Sequence, residues 1–312
     1  MTPPAPFVVV GESLVDIVVA QDATETHAVG GSPMNVAVGL ARLDVPSLLV
    51  TQVGDDEHGR WVASHVAESG AVLSGSSVVA GSRTSTATAR LDHANAAGYD
   101  FDLVWGLPAQ QLPEALGLHV GSLGTVLAPG RDAVLDLVDQ ATARELFVSY
   151  DPNVRPAFLT DPAAMWDDVV ALAARCRLVK LSDEDLALLR PDEPLEAVAA
   201  RLLAGAETEL VLVTRGDAGA AAFGEGFSVE RATPPVTVVD TVGAGDSFMA
   251  ATLAILADWD LLLPGQGRLA AIGERRVRTL LGGAMAAAAV TCSRRGANPP
   301  TRSELPPTWP AS

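Results

Sequence analysis

Short runs of β-branched and apolar residues alternate with segments of helical spacing along most of the chain. No other feature restricts the possible folds as much. "FVVVGESLVDIVVA" (Phe7–Ala20) reads as a buried strand, a kink at the Gly-Glu pair, then more strand. "GGSPMNVAVGLARLDV" (Gly30–Val45) opens on a glycine pair and then sets Val36, Leu40 and Leu43 on one helical face. "PSLLVTQVGDD" is the next strand and "EHGRWVASHVAESG" the next helix. This order predicts an α/β fold, a mostly parallel sheet with helices on both faces. The order breaks over Ser76–Trp105, a Thr-, Val- and aromatic-rich segment around the turn-like "HANAAG", which predicts a β-meander without helices. Alternation then resumes. Strands are expected at "GLHVGS", "LFVSYDPN", "CRLVKLS" and "ELVLVTRG", a helix after "VVDTVGAGD", and an Ala-rich helix around Gly283–Val290. The proline-rich tail "PPTRSELPPTWPAS" reads as an irregular end.

The net charge of −17 and the lack of any Lys or Arg run speak against nucleic acid and against an anionic membrane as partners. An anionic ligand would have to be held by local groups or a metal, against the overall field. At 312 residues and 48% hydrophobic composition the chain can bury a sizeable core. Cys176 and Cys292 are too few for a disulfide framework, which fits a reducing cytoplasm. The start has no basic n-region, so a secretory signal is not expected. The longest apolar stretches, Phe248–Ala257 and Ala284–Val290, are too short to span a bilayer. The five histidines show no metal-ligand spacing.

In open α/β sheets ligands collect at the carboxyl ends of strands. Gly11/Asp16, Gly30/Gly31, Gly121/Ser122, Asp151/Asn153, Ser182/Asp185, Thr214/Gly216 and Gly243–Asp246 all fall there. Each alone is ordinary turn chemistry. "DTVGAGDSFMA" (Asp240–Ala250) is the exception, because it admits two readings. Asp246 can be a first-turn carboxylate that stabilises the helix dipole. Alternatively the bare amides of Gly243, Ala244 and Gly245 form an anion hole at a helix N-terminus. A carboxylate beside a phosphate makes sense if a neutral hydroxyl lies between, giving its proton to Asp246 as its oxygen attacks phosphorus. There is no GxxxxGK[ST], no complete GxGxxG, no GxSxG, no HExxH and no CxxC, so P-loop and dinucleotide-binding readings fail.

"DTVGAGDSFMAATLA" resembles the C-terminal signature, and "GGSPMNVAVGLARL" the N-terminal signature, of the ribokinase-like (PfkB) sugar kinases. "GESLVDI", "HVGSL", "DPNVRP", "VKLSDEDL" and "VTRGDAGA" follow in the matching order, so the resemblance covers nearly the whole chain. It implies a Rossmann-like single domain over 1–312, with a β-sheet lid formed by about 13–29 and 76–105. It also implies phosphate transfer from MgATP to a sugar hydroxyl. By match, Asp246 is the base and Gly243, Ala244 and Gly245 the anion hole, while Asp16, Gly31 and Asn35 hold sugar hydroxyls. Tyr99 and Phe101 belong to the lid; Ser182, Thr214, Gly216 and Gly219 fall near the nucleotide. The loop carrying the last three also reads as a plain strand-to-hairpin turn. Arg155 reads equally as a substrate or phosphate contact and as a surface arginine. Many family members have Asn-x-x-Glu where "SDED" stands, so Asp185 takes the place that organises magnesium through water, one methylene shorter. The resemblance further implies potassium at "DT-GAGD" and "CSRRGAN", and a homodimer through the lid.

"GE…D", "GGSPMN", Tyr99–Phe101 and "DPN-R" look most like the bacterial fructokinase branch. The rival is a 2-keto-3-deoxygluconate kinase, whose carboxylate substrate wants a lid cation. Asp100 and Asp102 in "GYDFDL" are expected to repel that carboxylate if they face the site, with Arg83 and Arg90 as substitute cations. Other sugar or nucleoside kinases, and a non-catalytic sugar-binding relative, are further alternatives.

Overall fold

The computed structural model describes residues 5–91, 97–263 and 269–310. In chain order the strands are β1 (Phe7–Val10), β2 (Leu14–Val19), β3 (Glu25–Gly30), β4 (Ser47–Val50), β5 (Val53–Gly54), β6 (Val72–Leu73), β7 (Val78–Val79), β8 (Ser85–Leu91), β9 (Ala97–Asp102), β10 (Gly117–Gly121), β11 (Phe147–Asp151), β12 (Leu178–Ser182), β13 (Leu210–Thr214), β14 (Ala220–Gly224) and β15 (Phe227–Arg231). The α-helices are α1 (Ser32–Arg42), α2 (Glu57–Glu68), α3 (Gly130–Ala143), α4 (Pro162–Ala173), α5 (Asp183–Leu189), α6 (Leu195–Leu203), α7 (Ala244–Asp258) and α8 (Gly273–Cys292).

Nine strands form one sheet in the order β15-β14-β13-β12-β11-β10-β1-β4-β6. Pairing is parallel from β13 through to β6 and antiparallel along β13, β14 and β15. β1 has no polar side chain and is fully buried, as a strand covered on both faces must be. Its alternation divides the core. Phe7 and Val9 join Phe147, Leu178 and Leu212 under α1, α2, α7 and α8. Val8 and Val10 join Val148, Val179 and Val211 under α3, α4 and α6. The strand order reverses at β1, with β4 on one side and β10 on the other. The crevice outside the strand ends at such a point is where ligands bind.

The kink expected after Phe7–Val10 proves to be a change of sheet. Gly11–Ser13 carries the chain from β1 into a second, four-stranded sheet of order β3-β2-β8-β9, and Gly31 brings it back into α1. The segment expected as one meander, Ser76–Trp105, is divided. β7 pairs with β5 in a two-stranded ribbon, β8 and β9 complete the small sheet, and Trp105 is buried in the main core. β-propensity marks strands without naming partners, so this division was not readable in advance. The antiparallel hairpin β14–β15 likewise extends the sheet beyond the expected strands. Residues 92–96, with the first four of "HANAAG", and 264–268, with the last four of "LLPGQG", lie outside the described residues. The tail is irregular, as expected, but anchored: Leu305 is buried and Trp309 Nε1 donates to Gly283 O at 2.9 Å. Among the described residues no helix is long and apolar enough to cross a membrane.

Phe147 is fully buried, with the Arg177 guanidinium over its ring. Phe147→Ala is expected to cost ~3–5 kcal/mol, the range for emptying a large aromatic site. Urea unfolding with an unchanged m-value is the check, and a loss below ~1 kcal/mol would contradict this packing.

Candidate active site

α7 starts where Gly243, at φ 75°, turns left-handed; a side chain there would run into Ala297. The Ala244 amide donates to Thr241 O at 3.2 Å, so the turn itself takes one of the three expected amides. Among the described residues those of Gly243 and Gly245 find no main-chain acceptor. Asp246 stands in the first turn, 7% exposed. Its Oδ1 accepts from Ser32 Oγ at 2.6 Å and its Oδ2 from Asn35 Nδ2 at 2.7 Å. Both donors sit in the first turn of α1, so the two signature segments meet at one carboxylate. Asn35 thereby spends its amide on Asp246, alongside the sugar contact expected of it. Ser32 was missed in the sequence; its signal was a hydroxyl between Gly31 and Pro33.

Lys180 was missed too. It is buried in the middle of β12 and donates to Asp151 Oδ2 at 2.7 Å. Its Nζ is 3.3 Å from where a Cβ on Gly245 would stand, directly beside the α7 turn. Burial pulls the ammonium pKa down, but the Asp151, Asp185 and Asp246 carboxylates outweigh it and hold the group above its ordinary value. Burial likewise pushes the Asp151 carboxyl up to about 6 against the pull of Lys180. Asp151 Oδ1 is buried without a protein partner. A lone lysine in the apolar run "RLVKLS" was the available signal, since a buried charge needs a partner.

Asp185 is a capping residue. Its Oδ2 accepts from Ser182 N (2.7 Å) and Ser182 Oγ (2.8 Å), closing a capping box on α5, and its Oδ1 accepts from Val154 N at 2.7 Å. Among the described residues no group of His, Cys, Asp and Glu is arranged to hold a metal directly. Asp151, Asp185 and Asp246 nonetheless share one ammonium. That set, with the orphan Asp151 oxygen, fits a hydrated divalent cation bound mainly by phosphates and water.

The small sheet borders the other side. Asp16 Oδ2 lies where a Cβ on Gly30 would be, 2.2 Å away. Burial raises the Asp16 pKa and the Arg155 charge opposes it, so Arg155 faces Asp16 from the loop after β11. Gly31 holds φ 116°, and a side chain there would strike Glu12 O at 2.5 Å. Register pairs Asp16 with Ala87 and Ala87 with Phe101, so these share a face, and Phe101 packs edge-on against Phe158 at 5.2 Å. Tyr99 lies opposite Ala89 on that face, its side chain outside the described residues. Asp100 and Asp102 alternate with Phe101 and fall on the opposite face, where Arg83 grips Asp102 through Nε (2.9 Å) and Nη2. The expected acid barrier to a carboxylate substrate is therefore absent from the Asp16 face: the two-residue period turns it outward. Ser122 (φ 51°) and Asn153 (φ 40°), at the ends of β10 and β11, are left-handed without being glycine. Such strain gathers at functional rims.

At the far edge, Thr214 ends β13, and Gly216 (φ 50°) has open space where a side chain would be. Gly219 differs. A Cβ there would sit 2.0 Å from Arg231 O, so the hairpin itself explains that glycine. Asp240 accepts from Val242 N (3.1 Å) and Gly296 N (2.8 Å), joining "DTVGAGD" to "CSRRGAN".

The sequence profile described as pfkB family carbohydrate kinase matches residues 6–304. The chain belongs to the pfkB family of carbohydrate kinases. A fructokinase of Klebsiella pneumoniae is 33% identical to it over 256 residues, 80% of this chain and 83% of that one. Among solved structures, a fructokinase of Xylella fastidiosa with bound ATP superposes with a TM-score of 0.79 at 24% identity, covering 96% of this chain and 95% of that one. A double-mutant fructokinase of Vibrio cholerae O395, in a form with fructose, ADP and potassium ion bound, gives 0.76 at 24% identity, covering 94% of both chains. At those identities the two structures establish the fold: this carbohydrate kinase is an α/β protein of the same architecture.

Lys180→Met would leave Asp151 buried beside no cation. It is expected to cost ~3–5 kcal/mol at pH 8, where the carboxylate would otherwise be ionised. Lys180→Met/Asp151→Asn should recover most of that in urea unfolding. Equal stabilities of the single and double variants would show that the pair carries no such weight.

Proposed function

We propose that this carbohydrate kinase is an ATP-dependent fructokinase. The observation that carries the chemistry is Asp246 at the N-terminus of α7, flanked by free glycine amides and by the Lys180 ammonium. A sugar hydroxyl gives its proton to Asp246 while its oxygen attacks the γ-phosphorus; the bond from that phosphorus to the β–γ bridging oxygen breaks and ADP leaves. Ser32 and Asn35 keep the carboxylate aimed. The Gly243 and Gly245 amides, the α7 dipole and Lys180 receive the charge on the phosphoryl oxygens, with Ala244 completing the turn. Magnesium, when bound, neutralises the nucleotide phosphates, and Asp185 orders its waters from the capping box at Ser182.

Asp16, Gly31, Asn35 and Arg155 make the sugar subsite, with Tyr99 and Phe101 above it. Thr214 and Gly216 border the nucleotide, and Gly219 shapes their loop. The small sheet is the lid, built from about 13–29 and 76–105. It excludes water from the transfer and pairs two subunits into a homodimer. Potassium binds near Asp240 and stiffens the turn. These assignments draw support from the relatives' names, and from the fructose, ATP, ADP and potassium that the named structures hold. A cytoplasmic location accords with the composition. Fructose is favoured over a keto-acid for a changed reason. Arg83 is committed to Asp102, and Arg90 falls on the face opposite Asp16, so neither offers a lid cation to a carboxylate.

A coupled ADP-release assay tests the reading: fructose should give a higher kcat/KM than 2-keto-3-deoxygluconate, and the reverse order would refute the sugar assignment. Asp246→Asn should lower kcat by roughly 10²–10⁴ while both ligands still bind by calorimetry. A folded variant within a few-fold of the parent would leave Asp246 a helix-terminal residue only. Replacing potassium by a bulky organic cation should slow turnover, and equal rates would remove the cation from the account.

A further inference from the structure

The chain visits the small sheet twice, first through β2 and β3 and later through β8 and β9, and the first visit begins and ends at one point. Entry is the Gly11–Ser13 link between β1 and β2, and exit is Gly31, at the start of α1. The two crossings touch: a Cβ on Gly31 would meet Glu12 O at 2.5 Å, and one on Gly11 would meet the Pro33 ring at 2.3 Å. A third element closes on them. The 3-10 turn Ser122–Thr125 after β10 packs so tightly that a Cβ on Gly124 would lie 2.7 Å from the Gly11 Cα. One carboxylate is buried in this junction. Glu12 is 5% exposed, and its Oε2 accepts the Gly124 N–H at 2.8 Å. None of the proposed catalytic steps uses it.

We infer that Glu12 is a positioning residue, a buried carboxylate at the hinge of the β2–β3 arm of the small sheet whose charge state sets how readily that arm opens from the sugar site. The inference rests on reading the sheet as a lid. A swing of β2 and β3 away from the main sheet turns on these crossings, and a shift that parts them lets water reach Glu12. Burial pushes its carboxyl up to about 7, beyond what the Ser122 hydroxyl, the Gly124 N–H and the Arg155 charge take back. Arg155, from the loop after β11, is the cation facing it, and it also faces Asp16 on β2. The Ser122–Thr125 turn carries no charged side chain, and α1 carries none before Arg42.

The sign follows from linkage. In the closed junction Glu12 binds its proton more tightly than an exposed glutamate does, so rising pH favours the state in which it is solvated. The closed sheet is held best below about pH 4.5 and loosens as pH rises towards 7, by several-fold to about tenfold per pH unit if opening fully solvates the carboxylate, with little further change above 7. Global stability carries the same sign: the contribution of this group is complete below about 4.5 and is lost as pH rises through 7.

Hydrogen exchange on the ligand-free protein tests this without any sugar. After correction for intrinsic rates, protection of β2 and β3 should fall by several-fold per pH unit between pH 5 and 7, while β1 and β10 stay better protected than β2 and β3 throughout. In Glu12→Gln, a neutral side chain of the same shape, the protection should be flat. Should that variant fail to fold, the wild type alone decides, because pH-independent protection of β2 and β3 overturns the inference. So does a pH response that persists unchanged in Glu12→Gln. With fructose, the wild-type KM should rise between pH 6 and 8 and that of Glu12→Gln should not. If fructose is not turned over while the exchange result holds, the substrate reading fails and the hinge stands.

Discussion

Asp246 is bonded to Ser32 and Asn35, which lie 214 and 211 residues away along the chain. The rest of the site depends on that contact. It brings the first turn of α1 against the first turn of α7, and those turns carry the chain's two signature segments. A carboxylate that gives both oxygens to neutral donors is fixed in direction by them. The packing beneath supports the aim: α7 is buried along nearly its whole length, from Asp246 to Leu256. A helix held that firmly fixes its N-terminal amides as well, and preorganised dipoles cost no rearrangement when charge develops.

The charge of the molecule raises a question that local structure answers. A net charge of −17 repels a polyphosphate, and three carboxylates stand within the site itself. Against them the chain sets the N-terminus of α7 and one ammonium, Lys180, sealed from water beside Gly245. A buried charge acts through a lower dielectric than a surface one, so one lysine there outweighs several remote acids. The surplus of carboxylate over ammonium is the local counterpart of a hydrated divalent cation. The same cluster explains why "SDED" can differ from the commoner family pattern. Asp185 reaches Ser182 and Val154, so its carboxylate is set by the capping box on α5.

The β2–β3 arm of the small sheet is joined to the body through glycines at one crossing, where Gly11 and Gly31 pass each other and Gly124 closes over them. Only residues without a Cβ allow three backbones so near. This economy concentrates one link between the two sheets in a few atoms, and it leaves Glu12 enclosed with them; β8 and β9 supply the other link.

The sequence by itself determined the α/β class, the interruption by a second sheet and the candidacy of Asp246. Periodicity, glycine placement and first-turn acids are local properties, written within a dozen residues. Tertiary structure decided who meets whom. It chose Ser32 as a partner of Asp246, set Lys180 beside Gly245, gave one amide of the "GAG" turn to Thr241, and explained Gly219 by its hairpin rather than by a ligand. It also turned Asp100 and Asp102 away from Asp16, reversing the expectation drawn from "GYDFDL". A charge in a strand is legible, but the face it takes depends on register with neighbouring strands. β9 takes its register from β8, and β8 from β2, some seventy residues earlier. Nothing in six residues of β9 encodes that choice; the pairing of distant strands does, because each step along a strand reverses the side chain.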